Sequence, residues 1–199
     1  MADYRGIAAT CAAVIYLLRA NYNPGDFSQE LEFQVYTAED FTQHMEAGVS
    51  LFLHRIYVNG MNRSPAGRLG PDGRRQRNKL PLDLHFLLTA WGREASLQQA
   101  IAGWMMRTLE DTPMLPSGLL NTPMPDTFDP AEAIELSVAE ISSEDLFHLW
   151  EILSPNNYHI SIPYIARNVN IESTQELAQG RPVQERIFDH RQLSEDAGL

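Results

Sequence analysis

The chain has 199 residues, of which 44% are hydrophobic, and carries a net charge of −11 from 26 acidic against 15 basic side chains. A chain this long buries roughly 70% of its unfolded surface and needs no staples, and its single cysteine, Cys11, excludes an intramolecular disulfide framework or a cysteine-based zinc cluster. The acidity disfavours a general polyanion or anionic-membrane binder, and the most apolar stretch, the 13 residues from Gly6 to Leu18, falls short of the ~20 that span a bilayer.

That stretch reads as a packed helix, because Ile7, Cys11, Val14, Ile15 and Leu18 recur on one face and the flanking alanines permit close approach. Asp3 and Arg5 before it and Arg19-Ala20-Asn21-Tyr22 after it argue against a cleaved leader. Leu31, Phe33 and Val35 alternate with polar residues as in a half-buried strand, and Thr37 with Glu39 and Asp40 predicts a short helix to about Glu46. Val49 to Val58 is apolar on both faces, the pattern of a central strand.

Residues 59–79 hold the glycines and prolines of a long loop together with Arg63, Arg68, Arg74, Arg75, Arg77 and Lys79. A clean alternation follows, with Leu82, Leu84, Phe86, Leu88 and Ala90 opposite Asp83, His85 and Thr89, and then a helix over 94–110. The proline-rich stretch 114–130 predicts a surface wrap with at most one helical turn. Ile134, Leu136 and Val138 mark another strand, and Ser142 with Glu144 and Asp145 caps a helix whose stripe is Leu146, Leu149, Trp150 and Leu153. Tyr158 to Ile171 is the last strand, its change of parity placing a bulge near Pro163 and Tyr164. The expectation is an α+β domain over 1–171, a mixed or antiparallel sheet flanked by helices, followed by a polar C-terminal arm over 172–199.

No phosphate loop, nucleophile elbow or His-Glu-x-x-His pair is present. The strongest local chemical candidate is Asp83-x-His85, which on one strand face could join His54 or His159 in a metal site or acid/base pair. The simpler reading, a polar sheet face with satisfied histidines, is preferred because such a spacing arises often by chance. Trp91, Trp104 and Trp150 lie in or beside apolar stripes and read as core. The basic loop is either a solvated insert or a surface that meets acid, and its excess of Arg over Lys favours bidentate pairing with carboxylate or phosphate.

The run Leu80-Pro-Leu-Asp-Leu-His-Phe-Leu-Leu-Thr-Ala-Trp91, then Ala100-Ile-Ala-Gly-Trp-Met-Met-Arg-Thr-Leu109 and Asp111-Thr-Pro-Met-Leu-Pro116, resembles the cap or tail-terminator proteins of extracellular contractile injection systems, phage-tail-like particles that include the anti-feeding prophage and the Photorhabdus virulence cassettes. The order of elements follows that family over nearly the whole chain. The resemblance implies a non-enzymatic structural protein without cofactor or metal. It implies a homo-oligomeric ring, a hexamer, that closes the inner tube distal to the baseplate, contacts the sheath protein and fixes tube length. Such a protein is cytoplasmic when made and is then incorporated into the particle; neither membrane nor nucleic acid is an expected partner. Some relatives carry an extra C-terminal region.

Two alternatives of other classes stand beside it: a small metal-dependent hydrolase using Asp83 and His85, and a nucleic-acid accessory protein using the 63–79 loop. Charge favours a protein contact for that loop, since the chain outside it is strongly acidic. The expected partner-contact residues are therefore Arg63, Arg68, Arg74, Arg75, Arg77 and Lys79, with Val183 and Ile187 of the arm adding to a neighbouring subunit as an extended segment.

Overall fold

The alternating segments assemble into one mixed, six-stranded sheet in a computed structural model that describes residues 2–62, 68–69, 75–155 and 157–173, with residues 68, 69, 75 and 76 described by backbone alone. The strands are β1 (Glu32–Tyr36), β2 (Gly48–Val58), β5 (Leu80–Trp91), β6 (Met114–Pro116), β7 (Ala133–Val138) and β8 (Ser161–Ile171), in the spatial order β1-β2-β5-β8-β7-β6. Only β1 and β2 pair in parallel; the other neighbours are antiparallel. The predicted loop contains two short strands, β3 (Arg68–Leu69) and β4 (Arg75–Gln76), which pair with each other beyond the main sheet. The α+β reading holds, with a mixed sheet.

Three helices cover one face: α1 (Gly6–Asn21), α2 (Ala95–Glu110) and the single turn α3 (Ser117–Leu120). Leu82, Leu84, Phe86, Leu88 and Ala90 all point into this layer and are buried, as the alternation in β5 requires. Ala9 and Ala13 are fully buried, and α1 packs against β1, β2, β8 and both other helices of its layer. Cys11 is part of this core, and burial pushes its thiol up to about 12, so it packs as a small hydrophobe.

The opposite face has a smaller core under α4 (Ser143–Leu153) and the 310 turn Glu39–Gln43. Trp91, Leu87 and Phe41 meet Trp150 and Leu153 there, so all three tryptophans pack within or against a core. The α4 cap forms as the sequence predicts: the Asp145 N–H donates to Ser142 Oγ at 3.0 Å, while the Ser142 hydroxyl donates to the Asp145 carboxylate at 2.7 Å.

Several expectations need correction. The helix expected to reach Glu46 starts with the Thr37–Asp40 cap but is only the 310 turn, because the backbone becomes extended at His44 and the Met45 N–H is taken by the Tyr36 hydroxyl. In β1 the alternation ends early: Val35 is exposed and Tyr36 is buried, its hydroxyl accepting from the Met45 N–H at 2.9 Å. Val138 is exposed, since β7 leaves the cover of α1–α3 at its end. Met114–Pro116, read as part of a surface wrap, is the sixth strand. The bulge in β8 lies at Arg167–Asn168 rather than at Pro163–Tyr164: β5 advances from Leu82 to Leu84 while β8 advances from Val169 to Ala166, and Asn168 takes φ 59°.

Gly48 sits where the parallel pair begins. Its φ is +147°, and a Cβ there would lie 2.0 Å from the Glu32 carbonyl oxygen, so no side chain fits without moving backbone.

Candidate functional site

The long β2–β5 ribbon has two chemically different ends. At the end with Gly48 and Trp91, β2 is flanked by β1 and β5 and the sheet is covered on both faces. β1 stops opposite Phe52, so from Leu53 to Val58 no strand pairs with the outer edge of β2 among the described residues. Although the apolar pattern predicts a buried central strand, Ile56, Tyr57 and Val58 are each nearly half exposed. The reason is tertiary: β1 does not extend that far, Tyr57 lies on the α4 face beyond the reach of α4, and Ile56 and Val58, opposite Leu84 and Leu82, lie on the other face at the margin of the α1–α3 layer. The Arg55 guanidinium lies 5.2 Å from the Tyr57 ring centre, and Arg55, Arg77 and Arg167 are exposed at this end. Arg167 faces Glu135 across the β7–β8 ladder at 4.0 Å.

The expected contact residues fall into three groups. Arg63 and Arg74 lie outside the described residues, as do Val183 and Ile187. Arg68 and Arg75 stand on β3 and β4, and Arg77 follows β4 at the surface. Lys79 is bound within the chain: its ammonium donates to Glu172 at 2.7 Å and to Glu132 at 3.2 Å. Burial pulls its pKa down, but those two carboxylates outweigh it and the net shift is upward. Lys79 thus ties the entry of β5 to the segments before β7 and after β8, while the Glu172 N–H donates to the Ala2 carbonyl.

Asp83 and His85 do different work. The Asp83 carboxylate accepts from the Asn168 N–H at 3.0 Å and from Asn59 Nδ2 at 3.1 Å. It holds the β8 bulge against the base of the 59–79 segment, where Asn59 Oδ1 accepts from the Met61 and Asn62 N–H groups. His85 rests edge-on to Tyr57 and lies 6.4 Å from His54, ring centre to ring centre. Burial, then His85 and Arg55, lower His54 to about 4; burial and then Arg55 lower His85. His159 does not join them: it packs on Trp91 at the other end, 5.4 Å from His44. No group of three or more metal-ligating side chains occurs among the described residues.

That other end carries a surface the sequence reading missed. The inner stripe of α4 seats Trp150 and Leu153, but Phe147 and Ile152 lie off the stripe and face outward, Ile152 at 78% exposure. Tyr158, also exposed, meets the Phe147 ring at 5.5 Å. Glu144, His148 and Glu151 occupy the outer face between Phe147 on one flank and Ile152 on the other, with His148 bonded to Glu151 at 3.1 Å. The available signal was apolar residues in a capped helix beyond those its stripe needs. A shallow groove of about 300 Å³ beside β1 is lined by Arg19, Tyr22, Glu30 and Phe33, with the Arg19 guanidinium already donating to the Phe33 carbonyl at 2.7 Å. Among the described residues no helix is long and apolar enough to cross a membrane.

Comparison with curated protein sequences gives no match. Solved structures that share the fold include two tail terminators. One is the PVC sheath/tube terminator of an extracellular contractile injection system in its extended state, 18% identical with a TM-score of 0.65, covering 95% of this chain and 64% of that one. The other is the anti-feeding prophage tube terminating cap, 15% identical with a TM-score of 0.59, covering 90% of this chain and 59% of that one. The chain therefore spans less than two thirds of either. A family model described as the Pvc16 N-terminal domain matches residues 9–185, and the chain belongs to that family.

Proposed function

We propose that this protein is a structural terminator of a contractile, phage-tail-like particle, closing the end of the inner tube and meeting the sheath. One observation carries the reading: a family match over residues 9–185, on a fold shared with a sheath/tube terminator and a tube terminating cap. The described geometry is consistent with a non-enzymatic role, since Asp83, the leading chemical candidate, has both carboxylate oxygens engaged in holding backbone and loop. The working form is a homo-oligomeric ring, a hexamer, docked on tube and sheath proteins and carried in the assembled particle. The basic segment 63–77 and residues 174–199, including Val183 and Ile187, supply assembly contacts, while Lys79 and Glu172 serve the fold.

Deletion of the gene, followed by electron microscopy, tests this: particles lacking the protein should show uncontrolled tube length or unstable sheaths, and uniform, normal particles sink the assignment. Truncation after Ser173, which spares the Glu172 contacts, should weaken assembly and leave the domain folded. Arg74→Glu with Arg75→Glu should impair docking. Purified protein should bind duplex DNA no better than an acidic control; steeply salt-dependent binding reopens the nucleic-acid reading.

A further inference from the structure

We propose that Asn59 is a site of self-modification: attack by the Gly60 backbone nitrogen converts its side-chain amide to a carboxylate, and the conversion undoes the Asp83 joint at the base of the basic segment. This chemistry does not depend on the terminator role, because every group it needs lies in the turn after β2 or in the strands beside it.

The turn holds both reagents. Asn59 is the one asparagine in the sequence followed by glycine, and glycine has no Cβ to keep its nitrogen from a close approach. Gly60 is exposed, its N–H has no hydrogen-bond partner among the described residues, and its surroundings are open. Asn59, by contrast, is fixed. Its backbone N–H donates to the Pro81 carbonyl at 2.9 Å, and its Oδ1 accepts from the Met61 N–H at 3.2 Å and the Asn62 N–H at 3.3 Å. Those two donors polarise the side-chain carbonyl and face the negative charge that gathers on Oδ1 during attack at Cγ. Nucleophile and electrophile are neighbours in one chain, so their encounter costs little entropy.

The step balances without an oxidant or reductant. The Gly60 nitrogen forms a bond to Asn59 Cγ, the Cγ–Nδ2 bond breaks, and the Gly60 proton leaves with Nδ2 as ammonia. Water then opens the cyclic imide. Attack at Cγ yields aspartate, and attack at the Asn59 backbone carbonyl yields isoaspartate, in which the main chain runs through the side-chain methylene. Water enters and ammonia departs.

The product is incompatible with the joint it replaces. The Asp83 carboxylate accepts from Asn59 Nδ2 at 3.1 Å and from the Asn168 N–H at 3.0 Å, and the Asn62 amide donates to the Asn168 side-chain carbonyl. Conversion removes the Nδ2 donor and sets a second carboxylate against Asp83, a like-charge contact that drives the two apart. Asn168, a non-glycine residue at φ 59°, then loses the acceptor that holds its N–H at the β8 bulge. The root of the basic segment gains a negative charge and loses its tie to β8.

Incubation of the purified full chain at mildly alkaline pH, with peptide mass spectrometry and chromatographic separation of aspartate from isoaspartate, tests this. The mass gain of an amide-to-acid exchange is expected at Asn59 at least about tenfold faster than at Asn62 or Asn168 in the folded chain, and Gly60→Ala should slow it by about tenfold or more. That variant suits the test because a Cβ at Gly60 meets nothing within 4 Å, so the fold is undisturbed. Amide exchange at Asn168 should quicken in the converted fraction and in Asn59→Asp, and stay slow in Gly60→Ala. Should Asn59→Asp fail to fold, the converted wild-type chain carries the same readout. Conversion at Asn59 no faster than at the other two asparagines, equal conversion in Gly60→Ala, or unchanged exchange at Asn168 after conversion overturns the proposal.

Discussion

The two ends of the β2–β5 ribbon are built from equally apolar sequence and meet different fates. Around Val49, Leu51, Leu88 and Trp91, both faces of the sheet are covered and the side chains are buried. Around Ile56 and Val58 the same kind of side chain stands near half exposure beside an edge that has no strand partner among the described residues. Covered apolar surface is committed to folding, and uncovered apolar surface is available for association. Substitutions at the first end should therefore act on stability and those at the second on assembly.

The largest effect is expected at the covered end. Trp91→Ala removes a ring that joins Tyr36, Phe41 and Trp150 and donates to Ser50 Oγ at 2.7 Å. It should cost about 3–5 kcal/mol in denaturant unfolding, and a loss below about 1 kcal/mol would break the distinction between the ends. Gly48→Ala meets both an unfavourable φ and the Glu32 carbonyl and should cost about 3 kcal/mol, read as a fall in melting temperature. At the boundary, Asp83→Ala should cost about 1–3 kcal/mol, because it orphans the Asn168 N–H, and should speed amide exchange at Asn168.

Acid should act in a sign set by the histidines. The folded protein holds His54 at about 4, against 6.5 for a free imidazole, and His159 is lowered by burial and then by His44. The unfolded chain takes up protons first, so the stability contributed by neutral histidine is complete above about 6.5 and falls as the pH drops toward about 4. His54→Gln should flatten part of that fall in a melting series, and an unchanged slope would remove His54 from it. A smaller stability effect than at Trp91 belongs to the other end: Ile56→Ser with Val58→Ser, two half-buried side chains, should cost the monomer about 1–2 kcal/mol while weakening self-association in sedimentation. A large loss of stability would show that these side chains serve the fold instead.

Much of this was legible from local pattern. The β5 alternation, the α2 spacing and the Ser142 cap need only side-chain period and hydrogen-bonding chemistry, and each forms as read. Asp83 was legible as a residue facing away from the main core but not as a fastener, because its partners Asn59 and Asn168 are 24 and 85 positions away. The outer face of α4 escaped notice because an apolar residue off a helix stripe has no meaning until its neighbours are known.

By itself the sequence determined the α+β class, the acidic body with a concentrated basic segment, and the resemblance to injection-particle terminators, since composition, periodicity and motif order are carried by residues close together in the chain. Tertiary structure alone decided where β1 stops along β2, which half of the sheet α4 covers, and where β8 bulges. Those depend on lengths and registers of elements far apart in sequence, and they are what leave the far half of β2 without an outer strand partner among the described residues while α4 covers the Trp91 end.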